Sequence, residues 1–248
     1  MTVRDFDGID DKIHFDPAAW TIDGTEQITF AALWRADVLA AQGLIWATGE
    51  SVNVNPFNGV LWATFGGSAT GTHAYGEDEW MLTFLTVPAG TSGRQVRSHV
   101  YNYETAEWTH ADHGEVAGSA QTIPADSLFV GRYDGQAQFL NGNLAMMAVW
   151  AGTMPWAVDD TGDATIEAAG LTNDPQAWVN AGPTHLWRFD QADTAEPVTD
   201  SMGGAHQTQL DGTTVLTGDD PPAPWTFDPP GRTDFWEWLW AMEREGVL

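Results

Sequence analysis

The sequence predicts an all-β protein built as a two-sheet sandwich. Between residues 6 and 150, short segments alternate apolar and polar side chains with a period of two, which is the period of a strand. Gly, Asn, Asp and Pro separate these segments, as the turns of antiparallel sandwiches require. Apolar spacing of the helical kind is nearly absent from this part of the chain. Because the chain has 248 residues, 43% of them hydrophobic, one large domain of this class can bury a core.

Two segments show the expected strand patterns most clearly. Residues 26–35 place Ile28, Phe30, Ala32 and Trp34 on one face, which predicts a half-buried strand. Residues 80–87 are apolar on both faces, as expected of a central strand that is covered on each side.

Later segments predict further strands and one short helix. Residues 96–103 alternate between two kinds of side chain, and we expect one face of that strand to be exposed to solvent. The segment 143–150 has two predicted faces: Leu144, Met146, Ala148 and Trp150 on one, and Ala145, Met147 and Val149 on the other. Asp174 followed by Pro175 predicts a brief helix, because Asp caps helices and Pro suits the first helical position.

The charge of the chain excludes two classes of partner. Nine basic residues stand against 35 acidic ones, and the formal net charge is -26. Such a field repels phosphate backbones and anionic lipid head groups. We therefore expect neither nucleic acid nor a membrane as a partner.

The absence of certain residues and runs limits the chemistry further. The chain has no cysteine, so disulfides and thiolate metal sites are excluded. No apolar run reaches the length of about 18 residues that a transmembrane helix needs. The segment that follows Met1 has no apolar run of the secretory kind, and we expect a soluble protein made in a cytoplasm.

Three stretches resemble parts of laminin-G-like, concanavalin A-like domains. Residues 6–15 (FDGIDDKIHF) resemble the F-D-G-x-x-D-x-hydrophobic segment of this family. Residues 130–132 (VGR) with residues 139–150 (FLNGNLAMMAVW) resemble its glycine-turned strand pair. Residues 186–190 (LWRFD) and 198–206 (VTDSMGGAH) are similar to the W-x-F-D and D-x-x-G-x-x-H segments that usually open such a domain. The resemblance implies a two-sheet concanavalin A-like jelly roll.

The segments that open the family's domains come last here, which implies a circular permutation. Because the termini of a sandwich lie near each other, moving one strand to the end leaves the packing almost unchanged. We therefore expect residues 186–189 to lie close to residues 6–15. This interpretation divides the chain into a sandwich over residues 1–218, a proline-rich linker over 219–231 and a short C-terminal helix over 232–248.

The predicted C-terminal helix is apolar around nearly its whole circumference, so it needs a partner surface. Its apolar residues are Phe235, Trp236, Trp238, Leu239, Trp240 and Met242. It either folds back on its own sandwich or docks into a groove of another subunit, and the linker provides reach for docking. We favour docking and expect an oligomeric assembly.

A catalytic site is the main rival to a binding role. Retaining glycosidases on concanavalin A-like folds need two carboxylates about 5 Å apart. The nearest cluster is Glu77-Asp78-Glu79, in which only Glu77 and Glu79 could share a strand face. Because Gly76 precedes them and favours a loop, we predict a solvated acidic turn and no catalytic residue.

Two clusters have the chemistry of metal ligands. Asp7, Asp10 and Asp11 offer oxygen atoms to Ca²⁺, which some laminin-G-like domains bind, although Asp side chains that bond turn amides explain the same pattern. Residues 110–113 (HADH) offer imidazole and carboxylate, but we predict a polar loop there. We therefore predict no metal site and no cofactor, with Ca²⁺ as the open alternative.

Four aromatic residues are candidates for stacking on sugar rings: Trp46, Trp62, Tyr101 and Tyr103. A flat apolar face with a polar rim suits the CH groups of a pyranose. Core packing explains most of the 14 tryptophans equally well, so both interpretations stay open.

The function that we expect is non-enzymatic and belongs to a virus particle. A particle assembled in a cell and released by lysis needs no secretion signal, and the permuted ending resembles laminin-G-like minor tail or head-decoration proteins of phages. The role would be adhesion to host surface glycans or cementing of neighbouring virion subunits. A glucanase-like hydrolase on the same fold is the alternative.

Overall fold

The structure is a computed structural model of the 248-residue chain. It describes residues 2–15, 21–23, 25–47, 52–65, 69–91, 93–115, 123–124, 128–133, 138–152, 171, 175–189, 200–202, 208–211 and 214–217.

Nineteen strands and one helix lie within these residues. They are β1 (Thr2–Asp7), β2 (Lys12–Phe15), β3 (Thr21–Ile22), β4 (Ile28–Ala36), β5 (Ile45–Ala47), β6 (Val52–Phe57), β7 (Val60–Phe65), β8 (Ala69–Ala74), β9 (Trp80–Val87), β10 (Gln95–Asn102), β11 (Glu107–Glu115), β12 (Ile123–Pro124), β13 (Leu128–Val130), β14 (Arg132–Tyr133), β15 (Gln138–Phe139), β16 (Asn141–Ala151), α1 (Pro175–Asn180), β17 (His185–Arg188), β18 (Thr208–Asp211) and β19 (Thr214–Thr217).

The strands form two large antiparallel sheets. The eight-stranded sheet has the order β11-β10-β9-β4-β16-β1-β19, with β17 also paired to β16. The seven-stranded sheet has the order β18-β2-β13-β5-β6-β7-β8. Two short strand pairs, β12-β3 and β14-β15, lie outside them. The prediction of an all-β, two-sheet sandwich is confirmed.

The central strands of the eight-stranded sheet, β4, β9 and β16, are buried on both faces. Ile28, Phe30, Ala32 and Trp34 join the cluster shared with the seven-stranded sheet. The intervening residues Ala31 and Leu33 join a second cluster, with Trp178 of α1 on the outer face. The half-buried strand predicted for residues 26–35 is therefore wrong in one respect, because α1 and its neighbours cover the outer face as well. The helix itself begins at Pro175, as predicted.

A β-bulge in β16 corrects the predicted faces of residues 143–150. The register between β16 and β4 shifts between Leu144 and Met146. One extra residue in a strand reverses the alternation of everything beyond it. Leu144 consequently shares the inner cluster with Met147 and Val149, whereas Met146, Ala148 and Trp150 face outward.

Two glycines let the segments of the family resemblance pack against each other. A Cβ on Gly131, whose φ is +81°, would lie 2.3 Å from Cε1 of the buried Phe6 ring. A Cβ on Gly142, whose φ is +151°, would lie 2.1 Å from the carbonyl oxygen of Arg35. Both positions therefore require glycine, for conformation and for space.

The first and last parts of the described chain meet along one edge of β16. β1 pairs with residues 141–144 of β16, and β17 pairs with residues 146–149, so the two strands lie end to end. Phe6 and Trp187 belong to the same buried cluster. β19 pairs with β1, and β18 pairs with β2. This proximity is what the permutation hypothesis predicts, although β17 pairs with β16 rather than with β1.

A buried hydrogen bond between His185 and Asp200 holds β17 in place. Nδ1 of His185 lies 2.9 Å from Oδ2 of Asp200, and Oδ1 of Asp200 accepts hydrogen bonds from the amides of Leu186 and Met202. Burial acts to raise the pKa of Asp200, but these hydrogen bonds and the His185 charge outweigh it and lower the pKa. Asp200, part of the third resembling segment, therefore holds the strand in place.

The proline-rich linker at 219–231 and the C-terminal helix at 232–248 lie outside the described residues. The same applies to the predicted docking residues: Phe235, Trp236, Trp238, Leu239, Trp240 and Met242. Among the described residues, no helix is long and apolar enough to cross a membrane.

Candidate functional site

A cavity opens where the two sheets end beside each other. β8 and β11 are edge strands of their sheets, and backbone hydrogen bonds tie the neighbouring turns together: Tyr75 N to Gly59 O, Asp78 N to Ala36 O and Tyr103 N to Trp80 O. The cavity has a volume of about 330 Å³, and we call it the turn-end pocket. Its lining residues are Ala74, Tyr75, Gly76, Glu79, Met81, Asn102, Thr105, Glu107 and Thr109.

Glu79 is held in one orientation at this pocket. Its Oε2 accepts hydrogen bonds from the amide of Gly76 at 2.7 Å and from Nδ2 of Asn102 at 2.8 Å. Oδ1 of Asn102 accepts from the amides of Glu104 and Thr105, which fixes the direction of the amide group. A Cβ at Gly76 would lie 2.6 Å from Cδ of Glu79, so only glycine leaves room for the carboxylate.

Tyr75 lines the pocket from the core between the sheets. Its side chain is 6% exposed, and its ring packs edge-on against Trp34 with 5.4 Å between ring centroids. No hydrogen bond of good geometry reaches the buried hydroxyl from the described residues, although the backbone amide of Gly59 lies close enough to lower its pKa. Burial has the larger effect and raises the pKa of Tyr75, so the group is a neutral phenol.

A chain of buried polar groups continues from the pocket into the sandwich. Nδ1 of His73 lies 2.7 Å from Oγ1 of Thr109, and its Nε2 lies 2.6 Å from Oγ of Ser98. Oγ of Ser98 also lies 2.5 Å from Nε2 of His113. Burial lowers the pKa of His73 to about 4, and His113, His99 and His110 add to the shift. His73 is therefore neutral at neutral pH.

The segment 110–113 corrects one prediction. It lies in β11 rather than in a polar loop. Because successive strand residues point to opposite faces, His113 turns inward to Ser98 whereas exposed His110 and Asp112 face the other way. The side chain of Asp112 accepts a hydrogen bond from the amide of Gly114 instead. These residues therefore do not converge on one metal ion.

The acidic turn forms as predicted, but its members separate. Residues 77 and 78 form the turn, with Asp78 at a φ of +62°. Glu77 is exposed, and only Glu79 reaches the turn-end pocket. Glu77 and Glu79 therefore do not share one site.

Asp7, Asp10 and Asp11 lie near one another at the first turn. Their carboxylate oxygens lie within 4.8 Å of each other. Oδ1 of Asp7 accepts from the amide of Ile9, and Oδ2 of Asp11 accepts from the amide of Asp7, as turn-forming Asp side chains do. Burial raises the pKa of Asp11, and the charges of its acidic neighbours add to the shift. The group has the spacing of a cation site and also a structural role.

The three candidate sugar-stacking residues whose side chains are described do not form one surface. Trp62 is 39% exposed on the outer face of the seven-stranded sheet, beside Phe57 at a ring distance of 6.2 Å. Tyr101 and Tyr103 pack against the outer cluster of the eight-stranded sheet, on the opposite side of the sandwich. Trp46 lies in β5, and its side chain lies outside the description.

The residues of the turn-end pocket were largely missed by the sequence interpretation. Glu79 had been weighed only as part of an acidic pair, and Tyr75, Asn102 and Thr109 carried no signal because β8, β9, β10 and β11 are brought together only by folding. The glycine at position 76 was the single local sign of a constrained turn.

Comparisons with known proteins identify the fold. No protein-family model and no curated protein sequence matches the chain. Among solved structures, a candidate carbohydrate-binding protein from Bacteroides ovatus superposes with a TM-score of 0.61 at 16% identity, over 90% of this chain. The chain spans 61% of that protein. A heptameric SAP-like pentraxin from Limulus polyphemus gives a TM-score of 0.47 at 13% identity, over 68% of this chain and 82% of the pentraxin.

A third similar structure, the LG1-3 region of the laminin α2 chain, gives a TM-score of 0.42 at 12% identity, over 60% of this chain and 30% of that one. These identities establish the fold alone. With its two antiparallel sheets, the chain is an all-β jelly-roll sandwich.

Proposed function

We propose that the protein is a non-enzymatic carbohydrate-binding protein whose ligand occupies the turn-end pocket. One observation carries the proposal: the carboxylate of Glu79 is held in one orientation at a cavity that Asn102 and Thr109 also line. Fixed polar groups of this kind favour binding because little conformational freedom is lost when a ligand arrives.

The chemistry of the lining suits a sugar. Each sugar hydroxyl both donates and accepts hydrogen bonds, whereas the carboxylate of Glu79 accepts and the hydroxyl of Tyr75 does both. Ala74 and Met81 add apolar surface for the CH groups of a ring. The volume, about 330 Å³, lies at the small end of the range of ligand sites and suits the end of a glycan rather than a long chain. The name of the Bacteroides ovatus protein agrees with this assignment.

A hydrolase is the second candidate, because Glu79 and Glu107 both line the pocket. Two carboxylates at one cavity are the minimum for glycoside hydrolysis. We place binding first because the amide of Gly76 and the side-chain amide of Asn102 both donate to Oε2 of Glu79, which leaves that oxygen less free to act on a substrate.

A glycan array followed by titration calorimetry tests the proposal. The variant Glu79→Gln should weaken binding about tenfold, and Tyr75→Phe should weaken it several-fold, because each removes a hydrogen bond to the ligand. The matched controls Glu77→Gln and Tyr103→Phe should bind as the unmodified protein does. Equal binding by all four variants would place the ligand elsewhere. Release of reducing sugar that Glu107→Gln abolishes would establish the hydrolase.

We further propose that this binding serves adhesion of a phage particle to host surface glycans, in a minor tail or head-decoration protein. The resemblance of the permuted sequence to such virion proteins supports this setting. The alternative within the same setting is cementing of neighbouring virion subunits, with residues 232–248 as the docking segment.

Mass spectrometry of purified particles tests the setting directly, since a virion protein must copurify at a fixed copy number. Deletion of residues 232–248 should abolish incorporation if that segment docks into the particle. Unchanged copy number in the deletion mutant would refute docking, and absence of the chain from particles would refute the virion setting.

A further inference from the structure

We propose that four polar side chains form an acid-operated latch, which joins the edges of the two sheets at neutral pH and releases them in acid: His73, Ser98, Thr109 and His113. The latch acts on the shape of the turn-end pocket itself, with or without a ligand, which takes the inference beyond the proposed function.

The latch bridges the two sheets. His73 belongs to β8, the edge strand of the seven-stranded sheet. Its contacts belong to the other sheet, where Ser98 lies in β10, and Thr109 and His113 lie in the edge strand β11. Nδ1 of His73 lies 2.7 Å from Oγ1 of Thr109, and Nε2 lies 2.6 Å from Oγ of Ser98, which also contacts His113. One imidazole therefore connects the sheets through both of its ring nitrogens.

The two edge strands have little apolar packing to hold them together. β8 has the sequence ATGTHA, in which His73 is the largest side chain. Within β11, His113 is the one buried residue, and the others are exposed or partly exposed. Strands with few buried apolar contacts open locally at a lower cost than the core does. The attachment of β8 to β11 therefore depends strongly on His73.

The surroundings of His73 suit a neutral imidazole and oppose a charged one. His73 and Ser98 are both 0% exposed. A neutral imidazole donates at one ring nitrogen and accepts at the other, so two hydroxyls satisfy it. Because both ring nitrogens contact hydroxyls, neither contacts a carboxylate that could stabilise the imidazolium ion. A buried charge without a counter-charge is strongly unfavourable, and opening of the margin returns it to water.

The titratable and charged groups around His73 come from β10 and β11, because β7 and the rest of β8 carry none. They are Arg97, His99 and Tyr101 on β10, and Glu107, His110, Asp112, His113 and Glu115 on β11. Burial has the largest effect on the pKa of His73, followed by the charges of His113, His99 and His110, and together they lower the pKa to about 4. The margin thus gathers four of the seven histidines of the chain, and like charges accumulate there in acid.

Release of the latch changes the turn-end pocket, because the latch residues adjoin two of its walls. Thr109, which contacts His73, lines the cavity on one side. Ala74 and Tyr75, the residues that follow His73 in the chain, line it on the other. The pocket therefore keeps its shape at neutral pH and loses it when β8 separates from β11.

Hydrogen exchange of the full chain, followed by mass spectrometry from pH 7 to pH 4 and corrected for the intrinsic exchange rate, tests the latch. The amides of β8 and β11 should exchange faster than those of the central strands β9 and β16, which identifies a local opening. Their opening constant should rise by up to about tenfold for each pH unit between 6.5 and 4, because the open state binds the proton that the closed state excludes. Exchange at the margin that is no faster than in the centre, or that does not rise in acid, would overturn the proposal.

The variant His73→Gln assigns the response to one residue, because a glutamine amide can also donate and accept but does not titrate. It should remove most of the rise in acid, whereas the matched control His110→Gln, an exposed residue of β11, should keep most of it. A rise that survives in His73→Gln would contradict the proposal. NMR titration of the histidine rings in the unmodified protein needs no variant: the pKa of His73 should be near 4, and a pKa near the ordinary 6.5 would overturn the latch. Either failure leaves the proposed function standing.

Discussion

The centre of the eight-stranded sheet and the margin formed by β8, β10 and β11 both contain buried residues, but these residues are of different kinds. In the centre, Trp34, Leu85 and Met147 pack among other apolar residues. In the margin, His73, Ser98 and His99 are at most 2% exposed. The centre is held by packing and the margin, in large part, by side-chain hydrogen bonds.

The difference teaches where the molecule keeps capacity for binding. Apolar packing leaves nothing to offer a ligand, whereas buried polar groups need partners and lower the stability when partners are lacking. The margin places polar side chains beside a cavity, at Glu79, Asn102 and Thr109. A binding site at the margin therefore leaves the packing of the centre unaffected.

The largest effect is expected in the centre, at Gly142. Gly142→Ala would place a Cβ 2.1 Å from the carbonyl oxygen of Arg35 at a φ of +151°, so it should lower the free energy of unfolding by about 4 kcal/mol or more, measured by urea denaturation. Gly182→Ala is the matched control: φ is +62° and no atom lies within 4 Å, so we expect a loss of about 1 kcal/mol. Equal losses of stability in the two variants would show that β16 shifts locally to make room for the added Cβ.

The next largest effect on stability is expected in the margin, and it depends on pH. The pKa of His73 is lowered from 6.5 to about 4, so the folded state binds fewer protons than the unfolded chain between these values. The stability is therefore full above about pH 6.5 and falls by up to about 3 kcal/mol as the pH drops towards 4.

The variant His73→Gln isolates this effect. It should flatten the stability curve between these two pH values in urea denaturation followed by tryptophan fluorescence, because the titrating group is gone. The control His110→Gln removes an exposed imidazole from the same margin and should keep most of the slope, because His110 makes the smallest contribution to the shift of His73. A slope that survives in His73→Gln would assign the pH dependence to other groups.

A smaller effect on stability, with a clear effect on binding, is expected at Tyr75. Because no hydrogen bond of good geometry reaches the buried hydroxyl from the described residues, Tyr75→Phe should leave the free energy of unfolding unchanged or raise it by up to about 1 kcal/mol. The same variant should weaken glycan binding. A drop in thermal stability of several degrees would indicate that the hydroxyl already has a partner in the folded protein.

The smallest effect on stability is expected outside both regions, at Trp62. Because this side chain is 39% exposed on the outer face of the seven-stranded sheet, Trp62→Ala should change the stability by less than about 1 kcal/mol. If the turn-end pocket is the binding site, glycan affinity should also stay unchanged. A loss of affinity measured by calorimetry would restore the sugar-stacking role predicted from the sequence.

The local pattern predicted the elements better than it predicted their faces or the site. Residues 80–87 were expected to be covered on both sides and are buried throughout. The bulge in β16 was invisible, because one inserted residue leaves the apolar composition of the strand unchanged while it reverses the faces. β11 was missed because its residues are mostly polar, and strand formation there depends on pairing with β10.

The sequence by itself determined the all-β class, the turns, the absence of thiol chemistry and the strongly acidic character, because period-two patterning, glycine and charge act locally or as sums over the chain. Only the tertiary structure decided that β1 and β17 share one edge of β16, and that Tyr75, Glu79, Asn102 and Glu107 surround one cavity. These residues are distant along the chain, and their proximity depends on which strands pair, a choice made by the cooperative burial of the whole core.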